Sequence, residues 1–384
     1  MNDSPRRRLI GLTVALIVAL ALLQVWRVAT RRRPPAAIDA ERRGRTLAAQ
    51  VAQHAPSTPR RATPAAAAPT APAAAPSSAG LARATADAYR QQARYPHSSH
   101  PISDPDSDPI LRDRDVSPST WRGPGDSEPS LTVFPEQVSF EDPDAVILYA
   151  YLSVAGTAVP AQSMSGTVID AHGETVASLA FNDDGRGADA QANDFVYTAQ
   201  LATADANGRR LSGAYLARVH AVSTTNDDRF GTSGFLYSRP DAQLTGRYTD
   251  APRDGSLEIR VEVEVTTAGR FHLEATLYTL AGRPLAWAQN ALPLSPGRQW
   301  IPLTFFGLVL REQAADGPYV LRYVALSTTT EMPNAKNRLV ENAYVTRAYR
   351  AADFSDQPFN DANLLETARR LEASAPPATP SGAP

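Results

Sequence analysis

Between Phe181 and Tyr197 the sequence reads FNDDGRGADAQANDFVY, and Asp183, Asp184, Asp189, Asn193 and Asp194 crowd into twelve residues. Oxygens at that density support two chemistries. They can converge on a hard cation such as calcium, which takes about six to eight oxygen ligands. Or each side chain can accept a hydrogen bond from a nearby backbone N–H and so cap its own turn. Gly185 and Gly187 permit a tight path in either case. The EF-hand spacing, with its distal glutamate, is absent. Capping needs no ligand and is the leading reading. Loop 182–194 is nevertheless the one candidate calcium site, through Asp183, Asp184, Asp189, Asn193 and Asp194.

Other chemistries find less support. The chain holds no cysteine, which excludes disulfides, thiolate nucleophiles and Cys-ligated metals. His97 and His100 form an H-x-x-H pair within a proline-rich stretch, where nothing aligns the two rings on a zinc ion. No G-x-S-x-G elbow, Walker loop, H-E-x-x-H or dinucleotide fingerprint occurs, and no catalytic residue is assigned. Trp287, Trp300, Phe305 and Phe306 would stack on a sugar only if exposed together; packing is the simpler role. A formal net charge of −2 argues against a nucleic-acid partner.

Positioning these residues falls to β-strands. SLEIRVEVEV (256–265) alternates Leu257, Ile259, Val261, Val263 and Val265 with Glu258, Arg260, Glu262 and Glu264, the pattern of a half-buried strand. Val146–Val154, Gly166–Ile169, Phe195–Leu201, Tyr215–Val222 and Phe235–Ser238 read similarly, and no amphipathic helix is expected over 131–350. GAYLARVHAVST (213–224) aligns with GPYVLRYVALST (317–328), and TVIDAHGETVA (167–177) with TLYTLAGRPLA (276–286). The offsets are 104 and 109 residues, the length of an immunoglobulin-like sandwich of roughly 100 residues. In each copy a glycine, Gly173 or Gly282, closes a turn. In each a tyrosine, Tyr215 or Tyr319, opens a strand in the manner of a tyrosine corner. The predicted fold class is all-β: two tandem immunoglobulin-like β-sandwiches, 131–240 and 241–354.

The acidic loop also resembles a pattern found in bacterial surface and periplasmic Ig-like modules, including those called choice-of-anchor X: D-D-G-x-x-G-D-x-x-A-x-D-G-x-Y-T. Here it stands as Asp183-Asp184-Gly185, then Asp189, Ala192, Asp194, Tyr197 and Thr198, with Ala188 and Phe195 in place of two glycines. The resemblance implies an extracytoplasmic β-sandwich protein and supplies no catalytic residues.

Residues 1–45 carry ten arginines against three acids, +7, leaving −9 for the remainder. After a short basic tail (1–8), Leu9 to Trp26 is uncharged and, as a helix, about 27 Å long, enough to span a bilayer. Residues 9–28 are therefore expected to anchor the chain in a bacterial inner membrane as a single, uncleaved pass. Arginines on both flanks make the charge rule favour a cytoplasmic C-terminus. The Ala/Pro-rich stalk and the all-β remainder favour the periplasm, which is the expectation adopted. Residues 29–94 read as a largely disordered Ala/Pro/Arg-rich stalk with a short helix at Leu81–Arg94. Residues 95–130 read as an extended segment packing on the first sandwich, and 355–384 as a short helix with a disordered tail. The sum is a non-catalytic envelope protein that binds or supports an unknown protein or glycan partner. The alternatives are a cation-dependent enzyme or enzyme accessory, and a calcium-dependent adhesin.

Overall fold

A computed structural model describes residues 78–374, apart from 124, 126, 203–207, 209 and 331. The expected anchor at 9–28, most of the stalk and the end of the tail lie outside the described residues. No helix among the described residues is long and apolar enough to cross a membrane.

The described chain begins with helix α1 (Ser78–Ala93), strand β1 (Ser99–Pro101), one helical turn α2 (Pro109–Arg112) and β2 (Ser119–Trp121). Nine strands follow: β3 (Ser130–Pro135), β4 (Ser139–Glu141), β5 (Val146–Val154), β6 (Thr157–Val159), β7 (Ala161–Asp170), β8 (Thr175–Ala180), β9 (Tyr197–Leu201), β10 (Gly213–Ser223) and β11 (Asp228–Ser238). Then come β12 (Ala242–Arg253), β13 (Ser256–Val265), β14 (Gly269–Thr279), β15 (Pro284–Leu294), β16 (Gly297–Phe305) and helix α3 (Gly307–Gln313). The chain continues through β17 (Tyr319–Thr328), β18 (Ala335–Lys336), β19 (Val340–Val345) and helix α4 (Ala362–Ser374).

The architecture is all-β. One sheet of the first sandwich runs β4-β11-β10-β7-β8; the other runs β2-β3-β5-β6, with β9 also on β5. Leu131, Leu148 and Leu152 of the second sheet meet Val168, Ala217, Val219 and Phe235 of the first in one core. In the second sandwich, β12-β13-β16 faces β1-β15-β14-β17-β18, with β19 also on β17. Its core holds every apolar member of the alternating run, Leu257 to Val265, against Leu273, Leu277, Leu321 and Val324.

The internal repeat has a structural counterpart in strand register. Tyr215 of β10 pairs with Asp170 of β7, and Tyr319 of β17 pairs with Thr279 of β14. Both tyrosines therefore sit one strand away from the equivalent hairpin, whose tight turns place Gly173 at φ +87° and Gly282 at φ +83°. A side chain at these positive φ values would be strained. Tyr215 Oη donates to Ser212 O at 3.1 Å, and Tyr319 Oη to Ala315 O at 2.8 Å.

Two expectations need correction. Residues 95–130 do not pack on the first sandwich alone. β1 pairs with β15 of the second sandwich, Ile110 of α2 lies buried against Tyr278 and Tyr323 of the second, and only β2 pairs with β3 of the first. Short edge strands join a sheet through backbone bonds that any sequence can make, so composition alone could not choose the sheet. Second, α3 interrupts the β region: its Leu308, Val309 and Leu310 are buried. The short helix expected at Leu81–Arg94 is present as α1, which begins three residues earlier, at Ser78. α1 packs against α4; Ala86 and Ala93 of the first and Ala368 of the second are buried, and an Arg90–Glu372 ion pair joins the two helices. Asp361 caps α4 by accepting the Asn363 and Leu364 N–H groups.

The sandwiches meet at a polar joint. Glu141, ending β4, accepts from Gln243 Nε2 at 2.8 Å and from the Arg338 N–H. Lys336 N donates to Ser238 Oγ at 3.0 Å, while Arg114 of the leading segment donates to Asn337 O at 2.8 Å. Residues 336–338 thus touch both sandwiches and the segment that threads between them.

Candidate functional site

The acidic loop leaves β8 and returns on β9. Its base is closed by paired bonds, Asn182 N to Thr198 O at 3.0 Å and Thr198 N to Asn182 O at 2.8 Å. Tyr197 fixes the return: its hydroxyl accepts from Ala161 N at 2.9 Å and donates to Ala161 O at 3.2 Å. Inside this frame Gly185 (φ +69°) and Gly187 (φ +66°) turn the backbone. A Cβ on Gly185 would stand 2.9 Å from Ala192 N, so the loop can close only on glycine.

The turns aim three of the five predicted residues inward. One ligand oxygen each from Asp183, Asp189 and Asp194 lies within 4.8 Å of the others, and Asp189 is 7% exposed. Most of these oxygens already accept backbone hydrogens. Asp183 takes Asp194 N (3.2 Å) and Phe195 N (3.1 Å); Asp189 takes Gly185 N (2.6 Å) and Gln191 N (3.3 Å); Asp194 takes Val196 N (2.9 Å). Asp184 stands apart, capping Arg186 N at 3.0 Å. Asn193 contributes its backbone, at φ +59°, and is not in the carboxylate group. The turn-capping role is thus present in full. A carboxylate oxygen has lone pairs for a second partner, so the same three aspartates are the ones that could hold a hard cation.

The electrostatics are uncompensated within the trio. Burial, then the neighbouring charges of Asp183 and Asp189, push the Asp194 carboxyl above the usual range, against the opposing pull of its bond from Val196 N–H. Phe195, where the resembling pattern has glycine, holds φ +65°. An L-residue there costs roughly 1–2 kcal/mol, and its N–H bond to Asp183 holds it in place.

The remaining singled-out residues are dispersed. His100 stacks on Trp287 with centroids 6.0 Å apart; burial lowers its pKa, and no metal-ligand group among the described residues includes His97 or His100. Trp300 lies under Arg260, Phe305 is fully buried, and Phe306 meets Phe359 edge-on, so these aromatics form no common platform. The aromatics exposed side by side are instead Trp121 and Phe230, around a groove on the first sandwich. Phe230 could have been found in the sequence, since it occupies a solvent-side position in the DRFGTS run.

The fold and its loop define a two-sandwich protein with an Asx-rich turn. Residues 241–341, most of the second sandwich, match the family described as domain of unknown function (DUF4785) C-terminal domain. No curated protein matches the chain. Among solved structures, it is similar to a DUF4785 family protein from Legionella pneumophila at 18% identity and a TM-score of 0.44, with 58% of this chain and 57% of that one covered. It is also similar to E. coli alpha-2-macroglobulin (16% identity, 58% of this chain and 14% of that one, TM-score 0.28). A third similarity is to the Yersinia pseudotuberculosis adhesin InvE (12%, 56% and 60%, TM-score 0.21). The chain spans little more than half the length of the Legionella protein.

Proposed function

We propose that this chain is a non-catalytic binding or structural protein of the bacterial envelope, anchored in the inner membrane by residues 9–28 with both sandwiches in the periplasm. The finer likeness of its loop to choice-of-anchor X modules belongs to the same reading. The observation that carries it is the use made of the polar residues. The densest acidic constellation caps its own backbone turns, and Glu141 ties one sandwich to the other. Groups so occupied are poor proton shuttles and good scaffolding. The partner is an envelope protein or glycan. Export is tested by fusing a reporter active only in the periplasm after Pro384; reporter activity supports the reading, and activity of a cytoplasm-only reporter at the same position overturns its localisation.

The convergence of Asp183, Asp189 and Asp194 favours one second reading, a calcium-dependent enzyme accessory or adhesin. Calcium titrated to millimolar concentration separates the two. A rise in melting temperature that chelator reverses supports the cation, and an unmoved melt removes it.

A further inference from the structure

The outward face of the β4-β11-β10-β7-β8 sheet holds a groove of about 480 Å³, inside the range of roughly 300–1,000 Å³ usual for ligand sites. Strand register builds its floor in rows. Thr167, Arg218 and Thr232 stand opposite one another on β7, β10 and β11, and Ser165, His220 and Phe230 form the neighbouring row. Directly opposed residues share a face, so hydroxyls, a guanidinium and an aromatic ring emerge together.

Two aromatic faces wall this floor. Phe230 is 66% exposed and Trp121, arriving on β2 from the other sheet, is 46% exposed. Both are preorganised. The His220 ring stacks on Phe230 with centroids 4.5 Å apart, and Asp228 holds His220 Nε2 at 2.6 Å. A Cβ on Gly231 would stand 2.7 Å from Trp121 Cδ1 and 3.1 Å from the buried Leu131 and Val133, so that glycine lets the indole pack against the inner side of the β11 edge and reach the rim of the groove. Arg218 is exposed, and among the described residues its guanidinium has neither an ion pair nor a hydrogen-bond partner. The neighbouring Arg229, by contrast, is held by Glu128 at 2.7 Å.

We propose that this groove binds a carboxylate-bearing sugar chain, with Trp121 and Phe230 stacking on sugar rings and Arg218 pairing with the carboxylate. The ligand must be as amphipathic as the groove. A sugar ring offers C–H faces to the aromatics and hydroxyls to Ser165, Thr167 and Thr232. An apolar peptide would bury those hydroxyls and the guanidinium without partners, which is costly. The unpaired Arg218 supplies the charge complementarity, because a guanidinium pairs with a carboxylate through two parallel N–H···O bonds. The site names a ligand class for the binding role proposed above, but it does not depend on the membrane anchor or on the acidic loop.

The test uses the full-length protein on an immobilised glycan array of uronic-acid, sialic-acid and muramic-acid oligosaccharides, each beside its carboxyl-reduced counterpart. Retention of an acidic glycan, weakened about tenfold or more by carboxyl reduction, is expected. Arg218→Gln should abolish that preference, and Phe230→Ala should abolish retention. Both residues are exposed, so the melting temperature of each variant should match the parent. The proposal is overturned if no acidic glycan is retained, if acidic and reduced glycans bind equally, or if Arg218→Gln leaves the preference intact. The periplasmic reporter reads independently of the array, so failure of the groove and failure of the envelope reading are distinct results.

Discussion

Glu141 of the first sandwich and Gln243 of the second are joined by a hydrogen bond of 2.8 Å, with the same carboxylate accepting the Arg338 N–H. Glu141 is therefore an acceptor for two segments of the opposite sandwich, and Asp144 pairs with Arg338 beside it.

Removing that acceptor should loosen the joint and leave each core intact. Each lost bond contributes about 0.5–1.5 kcal/mol, more where a charge is involved. Glu141→Ala is expected to split one cooperative melting transition into two in calorimetry, one per sandwich. A single unsplit transition at the parent's temperature would show that the Glu141 bonds are not what couples the two domains.

Within the second sandwich the decisive polar residue is Asp250 on β12. Its side chain, 1% exposed, accepts from the Tyr344 and Tyr349 hydroxyls and from Arg347 Nε at 3.2 Å, binding the β12 edge to β19 and to residues 346–349. Burial pushes its carboxyl up, yet the bonds from Tyr344, Tyr349 and Arg347 outweigh this and hold its pKa below the ordinary value. A depressed folded-state pKa gives stability that is complete above the unfolded value, near 4, and is lost as pH falls through the folded value. The tyrosines act at the other end. Burial, then their bonds to Asp250, push Tyr344 and Tyr349 up to about 12, so their contribution holds below the unfolded value near 10 and fades as pH rises towards 12. Asp250→Asn should cost about 2–3 kcal/mol in urea unfolding at pH 7, and less below pH 4. An equal cost at pH 3 would contradict the charged network.

The leading segment is fixed by a second buried acid. Asp108, fully buried, accepts from Tyr278 Oη at 2.8 Å and from Ile110 N at 3.0 Å, capping α2 against β14. Tyr278→Phe leaves one carboxylate oxygen without that donor, a loss of about 1–3 kcal/mol. Limited proteolysis should then cut faster between 102 and 118, while cleavage elsewhere is unchanged. Uniform acceleration along the chain would instead mean that the whole sandwich has been weakened.

What the sequence made legible, and what it hid, divides along physical lines. Leu257 to Val265 announced their buried face because alternation matches the pleat, and the paired motifs around Tyr215 and Tyr319 announced the repeat because equivalent registers need equivalent turns. The course of 95–130 was hidden: three-residue strands such as Ser99–Pro101 bind through backbone, leaving little side-chain signal. The groove was hidden for a related reason. Arg218 comes to lie between Thr167 and Thr232 only through cross-strand register, which no single stretch of chain records. The acidic loop was half legible. Its aspartates were obvious, but the path imposed by Gly185 and Gly187 decides that Asp183, Asp189 and Asp194 converge while Asp184 does not.

That convergence gives the last prediction its sign. Asp194 has a raised folded-state pKa, so its charge penalises the folded loop above that pKa, and the penalty disappears as pH falls towards the unfolded value near 4. Asp194→Asn keeps an oxygen for Val196 N–H and removes the repulsion from Asp183 and Asp189. The variant should melt about 2 °C above the parent at pH 7, with the gain shrinking to nothing near pH 4. Differential scanning calorimetry across that range checks it. Calcium sharpens the outcome: if the trio held a cation, the ion would already offset the repulsion, and Asp194→Asn would lower rather than raise the melting temperature in millimolar calcium. Phe195 offers an independent control, since its strain at φ +65° is conformational and not electrostatic. Phe195→Val, β-branched and least tolerant of that region, should cost about 1 kcal/mol or more at every pH, whereas Phe195→Gly should be accepted. A pH-dependent cost for Phe195→Val would show that the loop is held by its charges and not by its turns.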